Sequence, residues 1–329
     1  MASYSLPVGR SIHATHGSTT LRRFDGPAAG ELYLRSRSAD GTAGTAQQAE
    51  TLYDSLLDAL AAEGFTPEAL VNETVFFRSI DDDATAVLDA RRRVLERRGT
   101  RVVGGMTTLI GQRPLDGSDR LEVAAVAIAP NRPGTISAAD IHRTASCPCE
   151  ACRAGGGARL TRMGEEAHFR AVNIHGVGAG AFEQAHDMFR VADALLGEAG
   201  MTFHDVIRTW IYLRDIDRDY HALNQARRDF FRLRGIERRP ASTGVQGIPR
   251  SAAHDFSMCL YAVRSGRPLD VTLMSTPTLN EAWTYGAEFS RGLRVVDANK
   301  VTLHVSGTAS IDEAGRTVHV GDFEAQVER

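Results

Sequence analysis

One stretch of this chain is written twice. Adding 136 to a residue number carries Gln48 and Ala49 onto Gln184 and Ala185, Leu60 onto Leu196, and Gly64 onto Gly200. The same step carries Val75 onto Ile211, Arg78 onto Arg214, Ile80 onto Ile216 and Ala90 onto Ala226. The match runs without a gap over roughly fifty residues, which marks a structural repeat. Glycines and an arginine match as well as core residues, so shared hydrophobicity alone does not explain it.

Residues 182–233 show what each copy contains. Phe182, Ala185, Phe189, Ala192, Leu195 and Leu196 recur at spacings of three and four, the pattern of a helix with one apolar face. Gly197 and Gly200 punctuate its end. Residues 205–213 then alternate as a strand through Val206, Ile207, Trp210, Ile211 and Leu213. A second helix starts near Asp219, with Leu223, Ala226, Phe230 and Phe231 on its inner face. Repeat one follows the same plan: a strand at 31–37, a helix at 46–62, a strand at 70–77, a helix at 81–97, and strands at 106–110 and 121–129. Asp81, Asp82 and Asp83 suit the positive end of the second helix.

The expected layout is repeat one over 1–130, a cysteine-containing linker over 131–165, repeat two over 166–275, and the start of a third copy over 276–329. In the third copy the order Phe323, Glu324, Ala325, Gln326 restates the helix entry of repeat two with its letters shuffled. The chain ends two turns into that helix. A sheet without its helices exposes a broad apolar face, so the expectation is that the natural chain continues or that a partner segment completes the copy.

Composition bears on partners. The chain has 329 residues, 43% of them hydrophobic, and a net charge of −3. The basic residues are spread out, which argues against a nucleic-acid or membrane-surface partner. Arg91–Arg93 with Arg97 and Arg98 read as a solvated helix face. The N-terminus MASYSLPVGR lacks the apolar core of a signal peptide, and no apolar run approaches about 20 residues. A cytoplasmic location is expected.

The third copy's opening, VSGTASIDEAGRTVHVGDFEAQVER, resembles the reactive intermediate deaminase family (the RidA/YjgF fold, akin to chorismate mutase). The residues that carry the likeness are Ser306, Gly307, Asp312, Gly315, Gly321, Asp322 and Gln326, with Asn224, Phe230, Pro240, Ala241 and Ser242 in repeat two. The resemblance implies an α+β fold of tandem repeats, each a mixed sheet with two helices on one face, packed as a pseudo-trimer whose third repeat is incomplete. It also implies ligand clefts between neighbouring units. Over 166–329 the chain is similar to the chorismatases, through the segment from Trp283 to Arg291, then Ser306-Gly307-Thr308-Ala309, then the run from Gly315 to Asp322. On that view repeat one is an extra copy.

The chemistry follows from the resemblance. Simple RidA proteins fix a substrate carboxylate with an arginine on a late strand and position water with a glutamate. Ser242 and Thr107 stand near the arginine position, Met258 or Cys259 near the glutamate position of repeat two, and Glu122 at that of repeat one. Neither repeat keeps the pair. The chorismatase likeness implies an enzyme removing pyruvate from chorismate or a related enolpyruvyl carboxylate, without a catalytic cofactor. Its general-acid glutamate is expected beyond Arg329, and Tyr285, Arg291, Ser306, Gly307 and Thr308 are expected to bind substrate. The alternatives are a non-catalytic small-carboxylate-binding protein and an imine or enamine deaminase.

Cys147, Cys149 and Cys152, with His142, are candidate ligands of a structural Zn²⁺, with free thiols in a loop as the alternative. Cys259 reads as packed in a core strand. His175 and His304 end strands, which makes either a candidate to line a site. The glycine run at 176–180 lacks the lysine and spacing of a phosphate loop and reads as a flexible turn.

Overall fold

The computed structural model describes residues 10–38, 43–100, 106–114, 120–142, 149, 157–276, 279–312 and 316–329. Repeat one holds β1 (Arg10–His16), β2 (Thr19–Asp25), β3 (Ala29–Arg37), α1 (Thr45–Ala62), β4 (Leu70–Phe77), α2 (Ile80–Arg97), β5 (Thr107–Gly111) and β6 (Leu121–Pro130). Repeat two holds β7 (Ile136–His142), β8 (Gly157–Met163), β9 (Glu166–Ile174), α3 (Ala181–Glu198), β10 (Val206–Leu213), α4 (Ile216–Arg234), β11 (Ala241–Gln246), β12 (Ile248–Pro249) and β13 (Phe256–Ser265). The third unit holds β14 (Asp270–Leu273), β15 (Gly292–Val296), β16 (Val301–Val305) and α5 (Phe323–Glu328). No described helix is long and apolar enough to cross a membrane.

The repeat is literal. A step of 136 residues lays Thr45–Ala62 on Ala181–Glu198, and Leu70–Phe77 on Val206–Leu213. Both first helices end alike: Gly64 and Gly200 take positive φ (77° and 71°), and the next amide reaches back to a carbonyl five residues earlier, Phe65 to Leu60 and Met201 to Leu196. In each repeat the strand between the helices runs parallel to the strand after them, β4 with β5 and β10 with β11. The other pairings are antiparallel, so the sheets are mixed and the helices lie on one face. In repeat one, Leu52, Leu56, Leu60, Val87 and Val94 of the helices pack on Val75, Phe77 and Val123 of the sheet. In repeat two, Phe189, Phe203, Phe230 and Phe231 form an aromatic cluster with ring centroids 5.0–6.3 Å apart.

Two boundaries differ from the expected ones. Residues 131–165 are not only a linker, because β7 and β8 lie within them and form one edge of repeat two's six-stranded sheet. Repeat two therefore starts at Ile136. The strand is hard to read because a Pro-Gly turn and a glycine-rich tract flank it. The third unit likewise starts at β14, before 276. Arg91 also departs from the solvated-face reading. Arg93, Arg97 and Arg98 do pair with Glu50, Asp54 and Asp58 on the surface of the helix pair, but Arg91 is buried and meets Glu73. The glycine turn is tightly packed rather than loose: a Cβ at Gly176 would sit 2.0 Å from the Gln184 carbonyl oxygen.

The turn between β15 and β16 ties the three units together. Asn299, fully buried, accepts hydrogen bonds from the Ala28 and Ala29 amides (3.1 and 3.0 Å) and donates to Glu31 (2.9 Å). Lys300 pairs with the same Glu31. The Ala298 amide donates to Glu166 of repeat two. Asn299→Ala leaves one buried and one half-buried amide and one carboxylate oxygen without their partner. It is expected to cost about 2–4 kcal/mol, checked by urea unfolding. A loss below about 1 kcal/mol would mean that the turn does not lock the units. The outer surface of the third unit stays apolar and exposed, with Leu303 57%, Val305 61% and Phe323 79% accessible.

Candidate functional site

A cleft of about 1150 Å³ lies between repeat two and the third unit. One wall is α4, with Tyr220, Asn224 and Arg227; the floor is β11, with Ser242, Thr243 and Gly244; the far wall comes from 285–291 and 307–309. The helix places Asn224 and Arg227 one turn apart on the same side. The far wall is held by strand-like contacts. Ala241 bridges Ser290, and the Gly307 amide donates to the Ser242 carbonyl (3.2 Å) and the Thr243 hydroxyl (2.9 Å).

Tyr285, Arg291, Gly307 and Thr308 line this one cleft. Ser306 sits behind its wall. Its hydroxyl accepts from the Ser242 amide (2.9 Å) and donates its proton to the Ser290 carbonyl (2.5 Å), so it joins the units and has no proton left to donate to a ligand. Gly307 must be a glycine, because a Cβ there would lie 2.8 Å from the Thr243 methyl. The Arg291 guanidinium stands 5.4 Å from the Tyr285 ring centre and 5.8 Å from that of Phe289. Its Nε donates to the Asn280 carbonyl (3.1 Å), while its buried Nη2 has no hydrogen-bond partner among the described residues. Burial pushes the Tyr285 phenol up against the pull of Arg291, so it meets a ligand as a neutral hydroxyl.

A second arginine faces the same space. Arg227 is 3% exposed and lies 5.6 Å from the Phe289 ring centre. It donates to Asn224 (2.5 Å) and Ser242 (3.3 Å), and its buried Nε has no partner among the described residues. Neither arginine has a carboxylate in ion-pair reach among the described residues. The nearby Glu288 is held by Arg228 and Arg239 instead. Burial lowers the Arg227 pKa, with only weak opposition from Tyr220, Glu288 and Tyr285. A buried guanidinium without a counter-ion is costly, and an anionic ligand relieves that cost.

Repeat one shows what is missing. Arg91 occupies the position of Arg227, 136 residues earlier, and there a carboxylate stands beside it. Glu73, 1% exposed, takes Arg91 through both Nε (3.1 Å) and Nη2, and Thr107 donates to it at 3.2 Å. Burial alone would lower the Arg91 pKa, but Glu73 holds it above the ordinary value. In repeat two Glu73 becomes Thr209, whose hydroxyl donates to Ser242 (2.8 Å). The repeated fold thus keeps the arginine and drops its acid. The sequence reading missed Arg227, although the signal was there under the 136-residue step: Arg91 meets Arg227 while Glu73 meets Thr209.

The other sequence candidates lie elsewhere. Glu122 is neutralised by Arg35 through two bonds (2.5 and 2.7 Å). Cys259 is buried with its thiol 3.0 Å from Thr108, and burial pushes that thiol up. His175 stacks on His254 at 4.4 Å, and burial lowers it to about 4. Of the zinc candidates, Cys147 and Cys152 lie outside the described residues, as does the side chain of His142. Cys149 has its sulfur 3.4 Å from Nε2 of His254. Among the described residues no three His, Cys, Asp or Glu side chains converge on a cation position.

Residues 172–251 match the family model Endoribonuclease L-PSP. Curated protein sequences yield no match. Among solved structures, a chorismatase aligns with a TM-score of 0.56 at 15% identity, covering 77% of this chain and 80% of its own. Residues 166–329 make up half of the chain, so the aligned part reaches into repeat one, and repeat one is not an addition outside the shared fold. A YjgF/YER057c/UK114 family member from Mycobacterium tuberculosis aligns at 23% identity over 38% of this chain and 98% of its own, with a TM-score of 0.31. Yeast Mmf1 aligns at 14% identity over 39% and 100%, also with a TM-score of 0.31. The match to the Endoribonuclease L-PSP family falls on the repeat that builds the cleft, that repeat occurs in tandem, and the fold over most of the chain is similar to that of a chorismatase.

Proposed function

We propose that the cleft between repeat two and the third unit binds a small carboxylate, and that the protein is a chorismatase-like enzyme releasing pyruvate from chorismate or a related enolpyruvyl carboxylate. One observation carries this: Arg227 and Arg291, both buried and both lacking a carboxylate partner among the described residues, face a single cleft. Chorismate brings two carboxylates, one for each. Protonation of the enol methylene makes an oxocarbenium ion. Water adds to its carbon, and the hemiketal collapses to pyruvate and the ring alcohol. The arginines hold the substrate through both steps, and Tyr285 offers a neutral hydroxyl.

A second reading is a carboxylate-binding protein without turnover. It is favoured by the acids that line the cleft among the described residues: Asp217 and Asp229 stand on the exposed side of α4, and Asp229 pairs with Arg232. One experiment separates the two. The full-length protein is incubated with chorismate while pyruvate release and chorismate binding are followed, with Arg291→Ala alongside. Turnover that the variant loses by about 100-fold supports the enzyme. Binding without pyruvate supports the second reading. Absence of both sinks the carboxylate assignment.

A further inference from the structure

A second cavity, of about 300 Å³, lies where the three sheets meet. It shares no lining residue with the cleft. Strand alternation builds it. The inward positions are Glu31 and Tyr33 on β3, His168 and Arg170 on β9, Cys259 and Tyr261 on β13, and Thr302 and His304 on β16, each pair two residues apart. A sheet face covered by other sheets is ordinarily apolar. Here it carries polar and aromatic groups, and buried polar groups are normally partnered.

Several are not. Thr161 Oγ1, Arg170 Nη1 and His304 Nε2 line the cavity, are inaccessible, and lack hydrogen-bond partners among the described residues. Arg208, 6% exposed, stands outside the lining, 5.0 Å over the Trp210 ring that forms part of the wall; it donates to Thr243, and its Nη1 has no partner among the described residues. The acids facing the cavity are occupied. Glu31 is held by Lys300, Tyr33 and Asn299. Asp297 accepts the Asn299 and Lys300 amides through one oxygen, Oδ1. Glu166, on the next strand position to the cavity wall, takes the Ala298 amide and lies 3.5 Å from His168. The Arg170 guanidinium therefore keeps an unused donor in a cavity ringed by cations. Their field shows at His304, which burial, then Arg208, Lys300 and Arg170, lower to about 4. Trp210 and Tyr261 add ring surface, with the Arg170 guanidinium 4.7 Å over Tyr261.

We infer that this central cavity binds a small planar aromatic carboxylate, its carboxylate held by Arg170 and its ring lying against Trp210 and Tyr261. The volume stands at the low end for ligand pockets, which suits a single ring and excludes larger molecules. Guanidinium groups take carboxylates in pairs of hydrogen bonds, and the aromatic walls favour a flat ring over a saturated one.

Benzoate is the probe. The chain has two tryptophans, so Trp283→Phe leaves Trp210 as the reporter. Titration with benzoate is expected to change its fluorescence saturably. Arg170→Met should weaken the affinity at least tenfold, Arg227→Met in the other cleft should leave it unchanged, and benzamide should fail to bind. No saturable change, equal binding of benzamide, or a loss with Arg227→Met but not Arg170→Met would overturn the inference. Should Arg170→Met not fold, as judged by its thermal transition, Thr302→Trp in a protein with Trp210→Phe and Trp283→Phe fills the cavity from its outer strand. With Arg227→Met and Arg291→Ala added to silence the other cleft, benzoate binding by calorimetry that persists in that variant would overturn the inference equally.

Discussion

Thr209→Glu is expected to abolish carboxylate binding in the cleft between repeat two and the third unit. The change writes repeat one's arrangement into repeat two. In repeat one the equivalent residue, Glu73, grips Arg91 from the neighbouring strand, and Thr107 completes its bonding. In repeat two Thr209 pairs with Ser242 across the same parallel register, one hydrogen bond from Arg227. A carboxylate there would neutralise the guanidinium from inside and compete with any ligand anion. The loss should be about 100-fold or more in affinity, about 3 kcal/mol, by calorimetry with chorismate. Thr209→Gln, similar in size and uncharged, should stay within about threefold of the original protein. Wild-type affinity in Thr209→Glu would show that Arg227 is not the anchor.

Glu73→Ala carries the largest expected cost in stability. It strands Arg91, 6% exposed, in the interior of repeat one with its counter-ion gone. Removing one member of a buried ion pair costs about 3–5 kcal/mol, because the remaining charge has neither water nor a counter-ion. Urea unfolding should show a drop of that size with little change in slope. Arg91→Met in the same background should recover a large part of it, since no unpaired charge then remains. A drop below about 1 kcal/mol would show that the pair is not a structural element of repeat one. The same arginine would then be expected to tolerate isolation in repeat two as well, and the argument for ligand binding would weaken with it.

The two experiments rest on one comparison, and that comparison shows where sequence reading reached and where it stopped. The helix and strand pattern of 182–233 was legible, because helical spacing and strand alternation are local properties and the repeat states them twice. The β7–β8 hairpin was not, since Pro133, Gly134 and the tract at 155–157 resemble a connection, and only pairing with β9 makes those segments strands. Arg91 reads as solvated because it belongs to a run of arginines on a helix; Arg92 and Arg93 are exposed and Arg91 is not. Which arginine of the three turns inward depends on helix rotation against the sheet.

At the site, Tyr285, Arg291, Gly307 and Thr308 were picked out by likeness to a family, and the fold gathers them round one cleft. Ser306 has the same motif neighbours, but its hydroxyl proton is committed to Ser290 and it joins Ser242 to Ser290. No reading of letters alone separates a serine that binds a ligand from one that holds the wall.

By itself the sequence determined the repeated β and α elements, their helix-ending glycines and the periodicity that gives each sheet an apolar helix-facing side. These follow from backbone geometry within about twenty residues. The tertiary structure decided which charges are compensated. Whether Arg91 finds Glu73, whether Arg227 is left facing a cleft, and whether Arg170 and Arg208 meet an acid all turn on contacts between distant strands. There burial multiplies the energy of a single missing carboxylate.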